Sequence, residues 1–251
     1  IGASIAFNSV GVDSQNVLFN LADTFAGTFV ADLKPSKATA RVARSTVDVS
    51  HDLIVEAENV TVIDAEIQNA AVATGVSLAD QSKAVSVGVI IALNRTDSDT
   101  EAQIADSTNI VSRAGAITVS AEDISIIDAE VTAASMSASV GKGGSKAVSI
   151  AASFARNEIT SDATAEILRS DVAAETNITV DAQRNAQINA RGLSAAVAVG
   201  LTAGGGKGGD VSFSGGGAVG FNSVRGQARA NANDSDLNAE GVISVNAQSG
   251  S

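Results

Sequence analysis

The sequence predicts an all-β protein, a parallel β-helix or β-solenoid built from about four repeats of 61–65 residues. Three observations carry that prediction: an internal period, a two-residue alternation inside each period, and a composition that fills only a thin core. Of 251 residues, 45% are hydrophobic, too many for a disordered chain. They are mostly Ala, Val and Ile, with seven Phe and no Trp or Tyr, so the aromatic bulk of ordinary globular cores is missing.

The period is visible in four markers. Leu53-Ile54-Val55-Glu56-Ala57 returns as Ile117-Thr118-Val119-Ser120-Ala121, as Ile178-Thr179-Val180-Asp181-Ala182 and as Ile243-Ser244-Val245-Asn246-Ala247, at intervals of 64, 61 and 65. Ser45, Ser107, Ser170 and Ser235 follow at 62, 63 and 65, and Ala40, Ala102, Ala165 and Ala228 at 62, 63 and 63. Asn8, Asn94, Asn157 and Asn222 each close an apolar run. Their last two gaps are 63 and 65, but the first is 86. Shared periods of this size mark repeat architectures, whose units bury their apolar faces only by stacking.

Within each repeat, Ile117, Val119 and Ala121 alternate with Thr118 and Ser120, the signature of a half-buried strand. Gly141-Lys142-Gly143-Gly144 and the run from Ala203 to Gly209 supply turns. Three rungs of roughly 20 residues per repeat are the ordinary β-helical arrangement and the one favoured here. A single wide rung per repeat instead sets the asparagines and serines directly above one another. A layered antiparallel sheet of Gly-turn hairpins is the alternative fold.

The chain reads as one repetitive segment, residues 1–251, opening inside a repeat with no recognisable polar cap at either end. The long first asparagine gap places an insertion at residues 11–37. It holds the only Pro, Pro35, and three phenylalanines, Phe19, Phe25 and Phe29. Leu18, Leu21, Phe25 and Phe29 are spaced 3, 4 and 4, which predicts one face of a helix that Ser14 caps. Such a helix either packs on the solenoid flank or presents Phe19, Phe25 and Phe29 to a partner.

The chemistry-bearing residues are few. Without cysteine there are no disulfides, thiolate metal sites or cysteine nucleophiles. The single histidine, His51, excludes a multi-histidine site, and Ser50-His51-Asp52 reads as an exposed turn. Lys142 and Lys207 each follow a glycine, but neither is followed by Ser or Thr as a phosphate-binding loop requires. No carboxylate pair stands out for glycoside hydrolysis, and the chain is read as a non-enzyme. Asp97, Asp99 and Glu101, with Ser98 and Thr100 between them, form the one calcium candidate, read as a loop of hard oxygen ligands. The asparagine column is read as structural, with Asn at solenoid corners tolerating a left-handed backbone and hydrogen-bonding along the stack. No other cofactor is expected. A net charge of −12 argues against nucleic acid, and no apolar run reaches the length of a membrane-spanning helix.

Ala163-Thr164-Ala165-Glu166-Ile167, Ser170-Asp171-Val172 and the run from Lys146 to Asn157 after a Gly-rich turn resemble the repeats of giant exported bacterial proteins. These are the filamentous-haemagglutinin-like adhesins and the fusobacterial leukotoxin type. The resemblance covers nearly the whole chain outside the insertion and brings no catalytic residues. It implies a secreted or cell-surface bacterial β-solenoid, a rigid stalk whose partners are copies of itself or further repeats. The alternative is a binding module that recognises a host surface, a glycan or calcium through the insertion or the acidic segments.

Overall fold

The computed structural model describes residues 1–11, 34–77, 81–203 and 209–251. Among these there is no helix, and fourteen strands follow one another: β1 (Gly2–Val10), β2 (Ser36–Ala43), β3 (Val47–Val49), β4 (Leu53–Ser77), β5 (Ser82–Ala105), β6 (Ile110–Ser112), β7 (Ile117–Gly141), β8 (Ser145–Leu168), β9 (Asp171–Ala174), β10 (Ile178–Thr202), β11 (Val211–Arg225), β12 (Ala228–Asn233), β13 (Asp236–Ala239) and β14 (Ile243–Gly250). Phe19, Phe25 and Phe29, and the helix expected around them, lie outside the described residues.

The strands form three parallel sheets. The first has the order β1-β5-β8-β11, with β2 added to β5 and β12 to β8. The second runs β4-β7-β10-β14, and a narrow corner sheet runs β3-β6-β9-β13. One rung is therefore a long outgoing strand, a short corner strand and a long returning strand. The fold is a parallel β-solenoid, and the rung is one whole repeat rather than a third of one. The physical reason is that β7 and β10 each run 25 residues without a break, so no corner closes a shorter coil.

The repeat markers become register. Leu53, Ile117, Ile178 and Ile243 pair in one column, and Asn8, Asn94, Asn157 and Asn222 in another. The alanine column departs from the sequence spacing at its end, because Ala230 pairs with Ala165 while Ala228 pairs with Ala163. The insertion has a register too. Val10 pairs with Thr96 and Ser36 with Ser98. Ser36 and Lys37, expected inside the insertion, are already in β2.

Side chains alternate across each strand, and what alternates changes along the rung. At the corner end the three sheets enclose a prism filled by Ile104, Ile110, Ile117, Val119, Ile167 and Val180 with their neighbours. Further along, two sheets face each other over Ile127, Ala129 and Ile159, then over Ile90, Val131 and Ala133. At the far end the interior holds Ser, Ala and Gly alone. Ser135 Oγ lies 2.7 Å from Ser149 Oγ, and Ser86 Oγ donates to the Ala71 carbonyl at 2.8 Å. A Cβ added to Gly88 would sit 2.7 Å from the Ala134 carbonyl oxygen. The hydroxyls of Ser137, Ser139 and Ser153 are buried there with no hydrogen-bond partner among the described residues. Outside, the order reverses. Val72, Val76, Met136, Val197 and Leu201 are exposed on the second sheet, and Val85, Ile150 and Phe213 on the first. The solenoid tapers from a three-sided prism to a thin fin whose polarity is inverted.

Three substitutions probe the taper. Ile127→Ala, at a fully buried site, should cost about 2–5 kcal/mol by denaturant unfolding, as cavity-forming substitutions do. In the fin, Ser137→Ala should be neutral or stabilising by up to about 1 kcal/mol because the hydroxyl it removes is unpaired, whereas Gly88→Val should destabilise by more than about 2 kcal/mol through overpacking.

Candidate functional site

The polar residues sort into columns, because each stands on its counterpart one rung away, a ladder spacing of about 4.8 Å. Asn8 Nδ2 donates to Asn94 Oδ1 at 2.8 Å, Asn94 to Asn157 at 2.7 Å and Asn157 to Asn222 at 2.9 Å. The chain of amides runs along the solenoid axis inside the first sheet. Its members lie within strands, not at corners as expected from sequence. Asn109, which is not a member of that column, has a left-handed backbone with φ of 60°, and the recurring left-handed corner belongs to Arg44, Asp106, Arg169 and Asp234, with φ of 48°, 49°, 44° and 49°. Each is followed by a marker serine. Ser107 Oγ donates to the Ala105 carbonyl at 2.9 Å and accepts the Ser45 amide at 3.2 Å, and Ser170 and Ser235 repeat the arrangement. A left-handed residue with a side chain costs roughly 1–2 kcal/mol, and the serine bonds hold the corner in place. The corner charges alternate in sign from rung to rung. Arg169 Nε donates to Asp106 Oδ1 at 2.6 Å, and that bond holds the Asp106 carboxyl below its ordinary value.

A second column, Asn59, Asp123, Arg184 and Ser249, points into the interior of the second sheet. Asp123 is fully buried. It accepts from Ser98 at 3.0 Å, Thr100 at 3.0 Å, Ser125 at 2.9 Å and Asn59 at 3.4 Å. Arg184, one rung on, donates to the Ser161 carbonyl and hydroxyl, to Ser249 and to the Arg225 carbonyl. Burial lowers the Arg184 pKa from its ordinary value, while Asp123 and Asp162 act against that. Buried charges persist only when bonded in this way.

The calcium candidate is not a loop. Asp97, Asp99 and Glu101 lie in the body of β5 on the outer face of the first sheet, while Ser98 and Thr100 point inward to Asp123. Asp99 is engaged by Lys37 Nζ at 2.8 Å. Burial raises the Asp97 pKa, Arg95 opposes it, and Asp162, Asp99 and Glu158 add to the rise. His51 is exposed in the turn between β3 and β4, where its carbonyl accepts the Ser112 hydroxyl at 2.7 Å. Lys142 sits in the turn between β7 and β8 and is followed by a strand, not by the helix a phosphate site would need. Lys207 lies outside the described residues.

The structure also brings together an acidic groove on the outer face of the second sheet, which no ligand motif in the sequence marks. It is an open depression of about 690 Å³ lined by Asp64, Glu66, Asp128, Glu130, Asn189 and Arg191. Asp64 pairs with Asp128 and Glu66 with Glu130 in register. The signal was present as Ile63-Asp64-Ala65-Glu66 and Ile127-Asp128-Ala129-Glu130, an identical tetrapeptide 64 residues apart. The third rung replaces the acids by Asn189 and Arg191, and Asn189 Nδ2 donates to Asp128 at 2.7 Å. Among the described residues, no group of three or more His, Asp or Glu side chains is arranged to hold a metal ion.

Comparison with protein-family models, with curated proteins and with solved structures finds no match. The class defined by fold and columns is the parallel β-solenoid with one wide rung per repeat.

Asp123→Ala should cost about 3–5 kcal/mol, since it strands four donors beside a buried guanidinium. Chemical denaturation of this variant beside Asp123→Asn, which keeps an acceptor, checks the size and the order. Asp97→Asn should stabilise the protein at neutral pH. A carboxyl whose folded pKa is raised makes stability fall as pH rises from the unfolded value of about 3.9 through the folded value. The gain should therefore vanish in thermal melts below about pH 3.

Proposed function

We propose that the chain is a structural element, a rigid segment of an extracellular bacterial filament or surface adhesin that stacks end to end as a stalk. The observation that supports this reading best is the residue-for-residue parallel register kept wherever strands of successive rungs pair in the three sheets, continued by the asparagine, serine and corner-charge columns. A scaffold of this kind transmits load along its axis through backbone ladders. The outermost strands, β4 and β14 of the second sheet among them, carry a ladder on one side only among the described residues. Such edges are templates for a further parallel rung. The resemblance of the repeats to those of giant exported bacterial proteins fits a secreted or cell-surface location. No helix of the described residues is long and apolar enough to cross a membrane.

Negative-stain electron microscopy with sedimentation velocity tests the proposal. Long unbranched fibres, growing with concentration and diffracting with a meridional spacing of about 4.8 Å, are the expected result. Particles that stay separate and short at high concentration would sink it.

A further inference from the structure

The outer face of the second sheet changes character along one line. Toward the corner it carries Asp64, Glu66, Asp128 and Glu130. Beyond Glu66, the stretches 67–77, 131–141 and 192–202 pair residue for residue and hold no charged side chain. Apolar side chains stand out from this half in columns, Val72, Met136 and Val197 in one and Val76, Val140 and Leu201 in another.

End-to-end stacking leaves this face in water. A new rung adds a ladder beside an edge strand and lays nothing over the sheet. β7 shows the result, because it is already paired on both sides along its whole length, and its Met136 is still 49% exposed. Single surface hydrophobes need no explanation, but a charge-free stripe that every added chain extends does. The other face of the fin is guarded. Lys83 stands over Lys146 there, and two such faces pressed together repel. The second sheet has no such guard.

Size points to the occupant. Three paired stretches of this length make a stripe roughly 36 Å long and 14 Å wide, about 500 Å². A stable protein interface covers about 800 Å² of each partner, so one chain is too small to hold another and two stacked chains are large enough. The stripe is flat and made of small and branched side chains, so it fits a second surface of its own kind, as the sheets of a sandwich fit each other. Charge sets the orientation. The chain carries −12, and acid begins beside the stripe at Glu66 and Glu130. With both fins pointing the same way, the acidic halves would face each other. With the fins overlapping from opposite sides, they lie apart.

We propose that stacked chains pair laterally, the charge-free half of the second sheet docking on the same half of a second copy, with the two corner ends facing away from each other. The pairing rests on the end-to-end stack proposed above, which supplies the area.

Negative-stain electron microscopy of the full chain reads the two associations separately, since fibre length reports stacking and fibre width reports pairing. Paired fibres are expected, and more of them at higher salt, which screens the repulsion between acidic chains. Met136→Lys should raise the concentration at which paired fibres appear at least about tenfold and leave single fibres of parental length. Met136→Ser carries the same test if the lysine disturbs the β-sheet circular dichroism. Ile150→Lys changes an exposed residue of β8, also paired on both sides but on the opposite face, and should pair as the parent does. Fibres that stay single at every concentration and salt overturn the pairing and leave stacking intact, whereas short separate particles overturn both. Equal loss in Ile150→Lys and Met136→Lys also overturns it. So does binding of single fibres to phosphatidylcholine vesicles that Met136→Lys abolishes, which would give the face to lipid.

Discussion

Every feature of this molecule answers to one constraint: in a parallel in-register stack, each side chain lies one ladder spacing, about 4.8 Å, from the same position of the next rung. A residue type is acceptable only if it can live beside its own kind or beside a chosen complement. Asparagine meets the first condition, because its amide donates on one side and accepts on the other, and Asn94 and Asn157 do both. Charged residues meet only the second. At the corners, Arg44, Asp106, Arg169 and Asp234 alternate in sign, and Asp123 is followed by Arg184 in the interior. Like-charged pairs depart from this at several places, with Glu58 over Glu122, Lys83 over Lys146 and Asp171 over Asp236, and in the acidic groove Asp64 sits over Asp128, where Asn189 bonds Asp128 one rung later.

A second constraint is the distance between the two long sheets. Where the corner sheet props them apart, Ile and Val fill the gap, and burial of those side chains supplies most of the stabilisation, at about 25 cal/mol per Å² of apolar surface. Where the prop ends, the backbones close on each other until only Gly, Ala and Ser fit. That gap excludes water but offers few acceptors, which is why several of its serines are unpaired. The strands survive there by their ladders rather than by their core. The two constraints together explain why a chain poor in aromatics holds a regular fold.

Much of this was legible in the residues. A period shared by four kinds of marker fixes the stacking, because a column demands like residues at like positions, and the isoleucine and asparagine columns coincide with the spacings read along the chain. Rung width was not legible. Alternation of Ile117, Val119 and Ala121 says that a strand exists, but a strand of 25 residues looks the same locally as a third of it. Gly and Ser inside β7 and β10 look like turn punctuation, and only the narrow inter-sheet gap explains them as interior packing. The Asp97 segment misled for a related reason: alternating acids suggest a loop of oxygen ligands, yet period two is also the period of a strand face. Arginine at a left-handed corner breaks the expectation that Asn or Gly holds such places, and its partner is a rung away, where sequence proximity gives no hint. Ile-Asp-Ala-Glu occurs twice at the repeat spacing, but nothing in the tetrapeptide itself tells a strand face from a ligand set.

The junction at Val10 and Ser36 has a consequence for modularity. These residues stand over Thr96 and Ser98, so the chain departs from the rung and rejoins it across the width of one residue, Asp97. The ladder on either side is indifferent to the number of residues spent between those two points, since the cost of closing a loop grows only slowly with its length. The rung thus behaves as a frame with a socket. Content can be exchanged there, lengthened or replaced by a folded unit with adjacent termini, while the stacking grammar of the solenoid stays as it is.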